Sequence, residues 1–275
     1  MTCIYCGKSN VTMAKSHVIS NFIRKRITGI EDANGIKKFH FRWIDRPDLP
    51  HQDLPKPYLL CKKHDTEFGI VIEGPASQAL IPENNNFATS IEVPRRWVVR
   101  DVSFNLGERV AFSIAEHKAE NFESDDAMRR FAVLTAWRAL HDMKLDGNSD
   151  VVEFLASPEG KILDKETVKF LNLETTEADF SYQYFAEIYL VGPVYAAQTT
   201  ASVDDLPFAY AYLNQDSQSC IAVLLGLWVI IWPLIPDSHK NYNLQNLRQL
   251  VLVDWNDYLR KCFTKEKVQL GRELK

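Results

Sequence analysis

Cys3-Ile4-Tyr5-Cys6-Gly7 stands near the start of the sequence, and Leu59-Leu60-Cys61-Lys62-Lys63-His64 follows some way downstream. Two thiolates two residues apart can face one ion, and the glycine lets the chain turn beneath it. Alone, a Cys-x-x-Cys is a weak signal. The second stretch runs an apolar pair into Cys-x-x-His and offers two more donors, so a closed tetrahedral zinc site of Cys3, Cys6, Cys61 and His64 is expected. The competing readings are that His64 is an ordinary surface histidine, and that Asp65 or no residue completes the site. Cys220 and Cys262 have no such neighbours and read as buried apolar thiols.

The chain around these half-sites has 275 residues, 46% hydrophobic and 25% charged. That is near the globular average and excludes a disordered chain, a fibre and a disulfide-stapled miniprotein. Charge divides it. Residues 1–75 hold twelve Lys+Arg and eight Asp+Glu, a balance of +4; the other 200 hold 20 and 28, a balance of −8, and the two sum to −4. Any nucleic-acid contact must therefore come from a local patch. We expect a small, basic, metal-capable module over residues 1–80. A larger body over 90–275 would serve regulation, partner binding or oligomerisation. The boundary falls near 75–90, where Gly74-Pro75, Pro82 and Glu83-Asn84-Asn85-Asn86 interrupt any helix or strand pattern.

Between the half-sites lies Lys15-Ser16-His17-Val18-Ile19-Ser20. On its own, a histidine beside β-branched residues reads as a satisfied core histidine. The order changes that reading: a knuckle, a His-bearing strand, a long loop over 31–57, then Leu-Cys-x-x-His leading into a helix. This order resembles the HNH branch of the His-Me finger (ββα-metal) endonucleases, specifically members with Cys-x-x-Cys, Ser-His-Val/Ile-Ile-Pro and Leu-Leu-Cys-x-x-Cys. The matching stretches are Cys3–Cys6, Ser16–Ser20 and Leu59–His64, so the likeness covers only about the first 75 residues.

The resemblance implies a metal-dependent endonuclease hydrolysing DNA phosphodiesters, with His17 as general base and Cys3, Cys6, Cys61 and His64 holding a structural Zn²⁺. Such hydrolysis needs a base to deprotonate water and a cation to neutralise charge building on phosphate and leaving oxygen. The resemblance puts Asp65, at the start of the helix, on a catalytic Mg²⁺ or Mn²⁺, both of which prefer oxygen ligands. Where many relatives have Asp just before the base, this chain has Ser16, a poorer ligand. Arg24-Lys25-Arg26, in an amphipathic helix expected over 21–27, and Lys62 and Lys63 are candidate phosphate contacts, salt-sensitive and blind to sequence. For any charge run the commoner case is a solvated face. His40 and His51 read as solvated loop histidines.

The body is expected to be α+β with an antiparallel sheet. Strands are expected at 90–93, 97–102 and 110–115, a strand or hairpin over 180–195, and strands at 208–213 and 220–232. Ser124 reads as the N-cap of a helix running to about Met143, on which Phe131, Leu134, Trp137 and Leu140 recur at spacing three. Further helices are expected at 149–156, 165–172 and 244–262. Trp137, Arg138, Trp228 and Trp232 read as core or interface residues rather than a base-stacking platform.

The apolar run Ile221–Trp232 has twelve residues, short of the about 18 that span a bilayer as a helix. No signal peptide is legible, so a cytoplasmic protein without a membrane partner is expected. The resemblance further implies an effector of the kind found in antiphage or mobile-element systems, with DNA as partner and an activating protein or a second copy acting through the C-terminal domain. The other class is a non-catalytic zinc module, binding nucleic acid or protein, on a sensor or scaffold. A zinc deaminase is disfavoured, since no His-x-Glu precedes a Pro-Cys-x-x-Cys and a closed site leaves no position for water.

Overall fold

In the computed structural model the apolar stretch after residue 217 becomes two antiparallel strands at the centre of a sheet. Residues 1–20, 40–43, 46–51, 55–80, 97–106, 108–117, 122–172, 187–191, 205–215, 218–225, 228–234 and 251 are described. The strands are β1 (His40–Trp43), β2 (Arg46–His51), β3 (Trp97–Leu106), β4 (Glu108–His117), β5 (Glu187–Val191), β6 (Asp205–Gln215), β7 (Gln218–Leu225) and β8 (Trp228–Pro233). The helices are α1 (Lys62–Phe68), α2 (Gly74–Leu80), α3 (Phe122–Leu145), α4 (Ser149–Ala156) and α5 (Pro158–Leu171), with one π-helical turn, Gly69–Glu73, joining α1 to α2. The architecture is α+β.

These strands form one sheet in the order β2-β1-β6-β7-β8-β5-β4-β3, antiparallel except where β1 runs parallel to β6. Among the described residues of 97–233 every strand pairing is antiparallel, as expected of the body; the one parallel pair joins β6 to β1, from the first 80 residues. The segment over 31–57 departs from the expected long loop. It contains a hairpin that joins the sheet, with His40 opening β1 and His51 closing β2, rather than a loop carrying two histidines. Pro47 and Pro50 hide this strand from a pattern reading, but β2 is an edge strand, where a missing N–H costs no ladder bond.

Side chains facing α3 follow the two-residue period of a strand. Ile188, Ile230, Val223 and Tyr210 are register partners across β5, β8, β7 and β6, and all four are buried in the common core. Trp232, fully buried, pairs with Ile221 in the adjoining row. Cys220, the expected apolar thiol, is buried on β7, and burial pushes its pKa up to about 12; Cys262 lies outside the described residues.

Every residue from Phe131 to Met143 of α3 is buried, so this helix is a central strut packed on all sides. Its polar side chains point at three different neighbours. Asp142 accepts from the Tyr210 hydroxyl of β6, His141 and Trp137 meet Asp164 of α5, and Arg138 meets carboxylates of α1 and the π-turn. The helix starts at Phe122, so Ser124 lies in the first turn instead of capping it, and it ends at Leu145. Gly147, at φ 80°, closes it while its N–H donates to the Lys144 carbonyl.

α4 spans the expected residues, capped by Asn148 accepting from the Val151 N–H at 3.1 Å. α5 begins seven residues before the expected 165. Ser157 caps it with a 3.0 Å bond from the Gly160 N–H, and Pro158 occupies the first turn.

Residues of 1–20 and 55–80 share one continuous core with α3 and the sheet, from Cys3, Val18 and Leu59 through Trp137 to Trp232. At the expected boundary over 75–90, Gly74-Pro75 does not interrupt a helix but opens α2, whose first turn tolerates proline, and 81–90 lie outside the described residues. The expected strand at 90–93, the helix at 21–27 with Arg24, Lys25 and Arg26, and most of the helix at 244–262 lie outside them as well. Among the described residues no helix is long and apolar enough to cross a membrane.

Candidate metal centre

The backbone brings the two half-sites together before any side chain is considered. Segment 12–18 runs antiparallel to 55–62: the Lys62 N–H donates to the Thr12 carbonyl, the Ala14 N–H to Leu60, the Ser16 N–H to Pro57 and the Val18 N–H to Pro55, at 2.9 to 3.2 Å. Met13 and Cys61 form a bridge within this ribbon. The Ile4 N–H donates to the Leu59 carbonyl at 2.9 Å, which sets the knuckle beside Cys61. The knuckle itself turns at Gly7, at φ 67°, whose N–H reaches the Cys3 carbonyl at 2.9 Å. That φ is in the left-handed region that glycine adopts without steric cost.

Cys3, Cys6, Cys61 and His64 present four donor atoms within 4.8 Å of one another. His64 Nδ1 lies 3.1 Å from Cys61 Sγ and 3.7 Å from Cys3 Sγ. Three sulfurs and one imidazole nitrogen at this mutual separation fit one tetrahedral ion, the Cys₃His set of structural zinc sites. Cys3 and Cys61 are buried, Cys6 and His64 half-buried.

The charge state suits a ligand set. Burial pushes the Cys3 thiol up, but hydrogen bonds from the backbone of Cys6 and Cys61 and from His64 outweigh it and bring the pKa down to about 6. A thiol ionised at neutral pH is the form that binds metal. Cys6 goes the other way, raised by burial and by the neighbouring sulfurs of Cys3 and Cys61. A cation among them would relieve that repulsion. Tyr5 packs its ring edge against His64 at 4.6 Å between centroids and against Phe68 at 4.9 Å, which helps hold the imidazole in place.

The other residues singled out from the sequence lie around this centre. Lys62 and Lys63 are exposed on α1. Ser16 is 1% exposed and its hydroxyl has no hydrogen-bond partner among the described residues. His17 is half-buried on the extended segment between Ser16 and the buried Val18 and Ile19. Asp65, in the first turn of α1, is ion-paired at 3.7 Å with Arg138 of α3. The same guanidinium bonds Glu73 Oε1 at 2.5 Å, and Glu73 Oε2 accepts from the Ser20 hydroxyl at 2.7 Å.

This Arg138–Glu73–Ser20 network escaped the sequence reading. No spacing rule ties Glu73 to residues 53 and 65 positions away. A local signal does exist in hindsight: Arg138 interrupts an otherwise apolar helix stripe, and a buried guanidinium requires carboxylates. The π-turn that ends in Glu73 is a rare backbone form, frequent at functional sites. Among the described residues no second group of three metal-capable side chains is present. Comparison of the chain with protein-family models, curated proteins and solved structures gives no match.

Proposed function

We propose that the chain is a metal-dependent endonuclease of the HNH type, with His17 as its general base. One observation carries the reading. A histidine-bearing extended segment pairs with a returning extended segment that runs directly into α1, and a Cys₃His donor set pins that corner. That is the order of elements a ββα-metal module requires. The zinc site takes no part in the chemistry; it staples a segment with little core of its own.

In this reading His17 takes the proton from the attacking water. Asp65 offers a carboxylate oxygen and Ser16 the weaker hydroxyl to Mg²⁺ or Mn²⁺, which would neutralise the charge building on the scissile phosphate. Such ions commonly use one or two protein carboxylates, completing their shell with water and substrate oxygens, so an all-protein cage is not needed. Lys62 and Lys63 grip the DNA backbone from the exposed face of α1, together with Arg24, Lys25 and Arg26. The acidic body restrains the nuclease and couples it to an activating partner or a second copy, as in an antiphage effector. Digestion of DNA at physiological salt by the protein alone would remove the restraint from this proposal.

The ion pair between Asp65 and the buried Arg138 favours a second reading, in which the carboxylate is structural and the module binds zinc without catalysing. Plasmid cleavage with Mg²⁺ or Mn²⁺ separates the two. Wild type and His17→Ala are compared at equal zinc content. The nuclease reading expects cutting by wild type alone; equal cutting by both sinks the assignment of His17. If neither cuts, with and without a cellular extract as source of activator, the zinc-module reading stands.

A further inference from the structure

The C-terminal end of α3 and one side of α5 enclose an open cleft of about 340 Å³, lined by His141, Lys144, Lys161, Asp164, Lys165 and Lys169. Residues 76–275 carry 20 cationic and 28 anionic side chains, a balance of −8, yet four of their ten lysines converge here. Lys161, Lys165 and Lys169 recur every four residues and so share one helix face, where like charges repel. Asp164 is the one carboxylate among the lining residues. Glu166 pairs with Lys169 at 3.0 Å. Asp164 is turned inward, one oxygen accepting from Trp137 Nε1 at 2.7 Å and meeting His141 Nε2 at 2.8 Å. Lys161 and Lys165 have no carboxylate partner among the described residues, and of the lining residues Asp164 alone is anionic against four lysines.

We propose that this cleft is a binding site for a small polyphosphate-bearing ligand. The charge selects an anion, and several lysines at helical spacing suit more than one phosphate. The Trp137–Asp164–His141 contacts make the floor rigid. A cleft of this volume is at the small-molecule end of ligand sites. Its wall includes Leu155 and Val168, apolar surface that a nucleoside would use and bare polyphosphate would not. The shared chemistry is a chain of phosphates, whether carried by a nucleotide or free. Arg138 contacts α1 and the π-turn whereas His141 contacts α5, so the site shares no side-chain partner with the Arg138 network and does not depend on the nuclease reading.

Isothermal titration calorimetry of the full, zinc-loaded chain tests it, with ATP, inorganic tripolyphosphate and a single-stranded oligonucleotide as separate probes. Wild type is compared with Lys161→Glu/Lys165→Glu and with Lys62→Glu/Lys63→Glu, pairs that are all exposed, with circular dichroism confirming the fold. The expected result is one-to-one binding of ATP or tripolyphosphate, weakened at least about tenfold by the cleft pair and unchanged by the α1 pair. Tighter binding of ATP than of tripolyphosphate identifies a nucleotide; the reverse or equality identifies free polyphosphate. The proposal is overturned by no saturable binding of either probe at millimolar concentration, or by equal losses in both variants. It is also overturned if only the oligonucleotide binds in a cleft-dependent way, which would make the face a strand contact.

Discussion

Arg138 Nη1 lies 2.5 Å from Glu73 Oε1, joining residues 65 positions apart across the contact between α3 and the π-turn. The arginine side chain is 3% exposed, Glu73 18% and Asp65 32%. Removing one member of a buried pair leaves the other uncompensated, whereas removing both restores neutrality.

Arg138→Met is therefore expected to destabilise the chain by about 2–4 kcal/mol, below the fully buried limit because both carboxylates keep some solvent. The double variant Arg138→Met/Glu73→Gln should recover part of that loss. Urea unfolding of the single and double variants closes the cycle. Strict additivity would show that the pair carries no coupling.

The centre answers to a different perturbation. One zinc per chain is expected by elemental analysis, lost together with the local fold in Cys3→Ser or Cys61→Ser and on strong chelation, because binding and folding free energy are the same quantity here. His64→Cys, which keeps four donors, should retain the metal. Full zinc occupancy in Cys61→Ser would show that this sulfur is not a ligand.

What could be read in advance follows the range of the interactions. Cys3, Cys6, Cys61 and His64 announce themselves by local spacing, and the structure brings all four donors together. The strand character of 218–233 declares itself by a continuous run rich in Val, Ile, Leu and Trp, and helix α3 by its apolar spacing of three. The β1–β2 hairpin did not, since Pro47 and Pro50 mimic a loop and only their edge position makes them tolerable. The early start of α5 rests on Ser157-Pro158, a cap signal that the hydrophobic period does not register. Glu73 with Arg138, and Asp142 with Tyr210, are pairings between distant segments and leave no local trace.

Asp142 carries a pH signature. Burial pushes its carboxyl up to about 6, with Asp146 adding to the rise and the hydrogen bond from the Tyr210 hydroxyl opposing it. The folded state thus prefers the protonated form. The contribution is fully present below the unfolded value of about 4 and is lost as pH rises to about 6, amounting to roughly 2–3 kcal/mol. Asp142→Asn keeps an acceptor for Tyr210 and should lack this decline. The difference between the two stability curves over pH 4–6 is the measurement; parallel curves would contradict a raised carboxyl.

The α4–α5 corner is set by Gly160. A Cβ there would overlap the Phe154 carbonyl oxygen and approach Leu155 Cα at 2.8 Å, both backbone atoms that cannot swing aside. Gly160→Ala is expected to cost more than about 2 kcal/mol, although alanine is the better helix former. Ser157→Ala, which only removes the cap, should cost about 1 kcal/mol. A neutral Gly160→Ala in thermal unfolding would mean that α5 can slide.

Two fully buried tryptophans differ in what their indole N–H does. Trp137 Nε1 donates to Asp164 at 2.7 Å, whereas Trp232 Nε1 is buried with no hydrogen-bond partner among the described residues. Phenylalanine removes a similar volume at either site, so the difference between the two substitutions isolates the hydrogen bond. Trp137→Phe loses a bond to a charged acceptor, while Trp232→Phe removes a donor already stripped of water. We expect Trp137→Phe to be the more destabilising by about 1–2 kcal/mol in chemical denaturation. It should also raise the carboxyl pKa of Asp164, which is held below the usual range: burial pushes it up, but the bonds from His141 and Trp137 and the charges of His141 and Lys144 prevail. Stability from that lowered carboxyl is present above pH of about 4 and is lost as pH falls further, so the gap between the two variants should narrow in acid. A larger cost at Trp232 would show that its N–H has a partner the described residues do not contain.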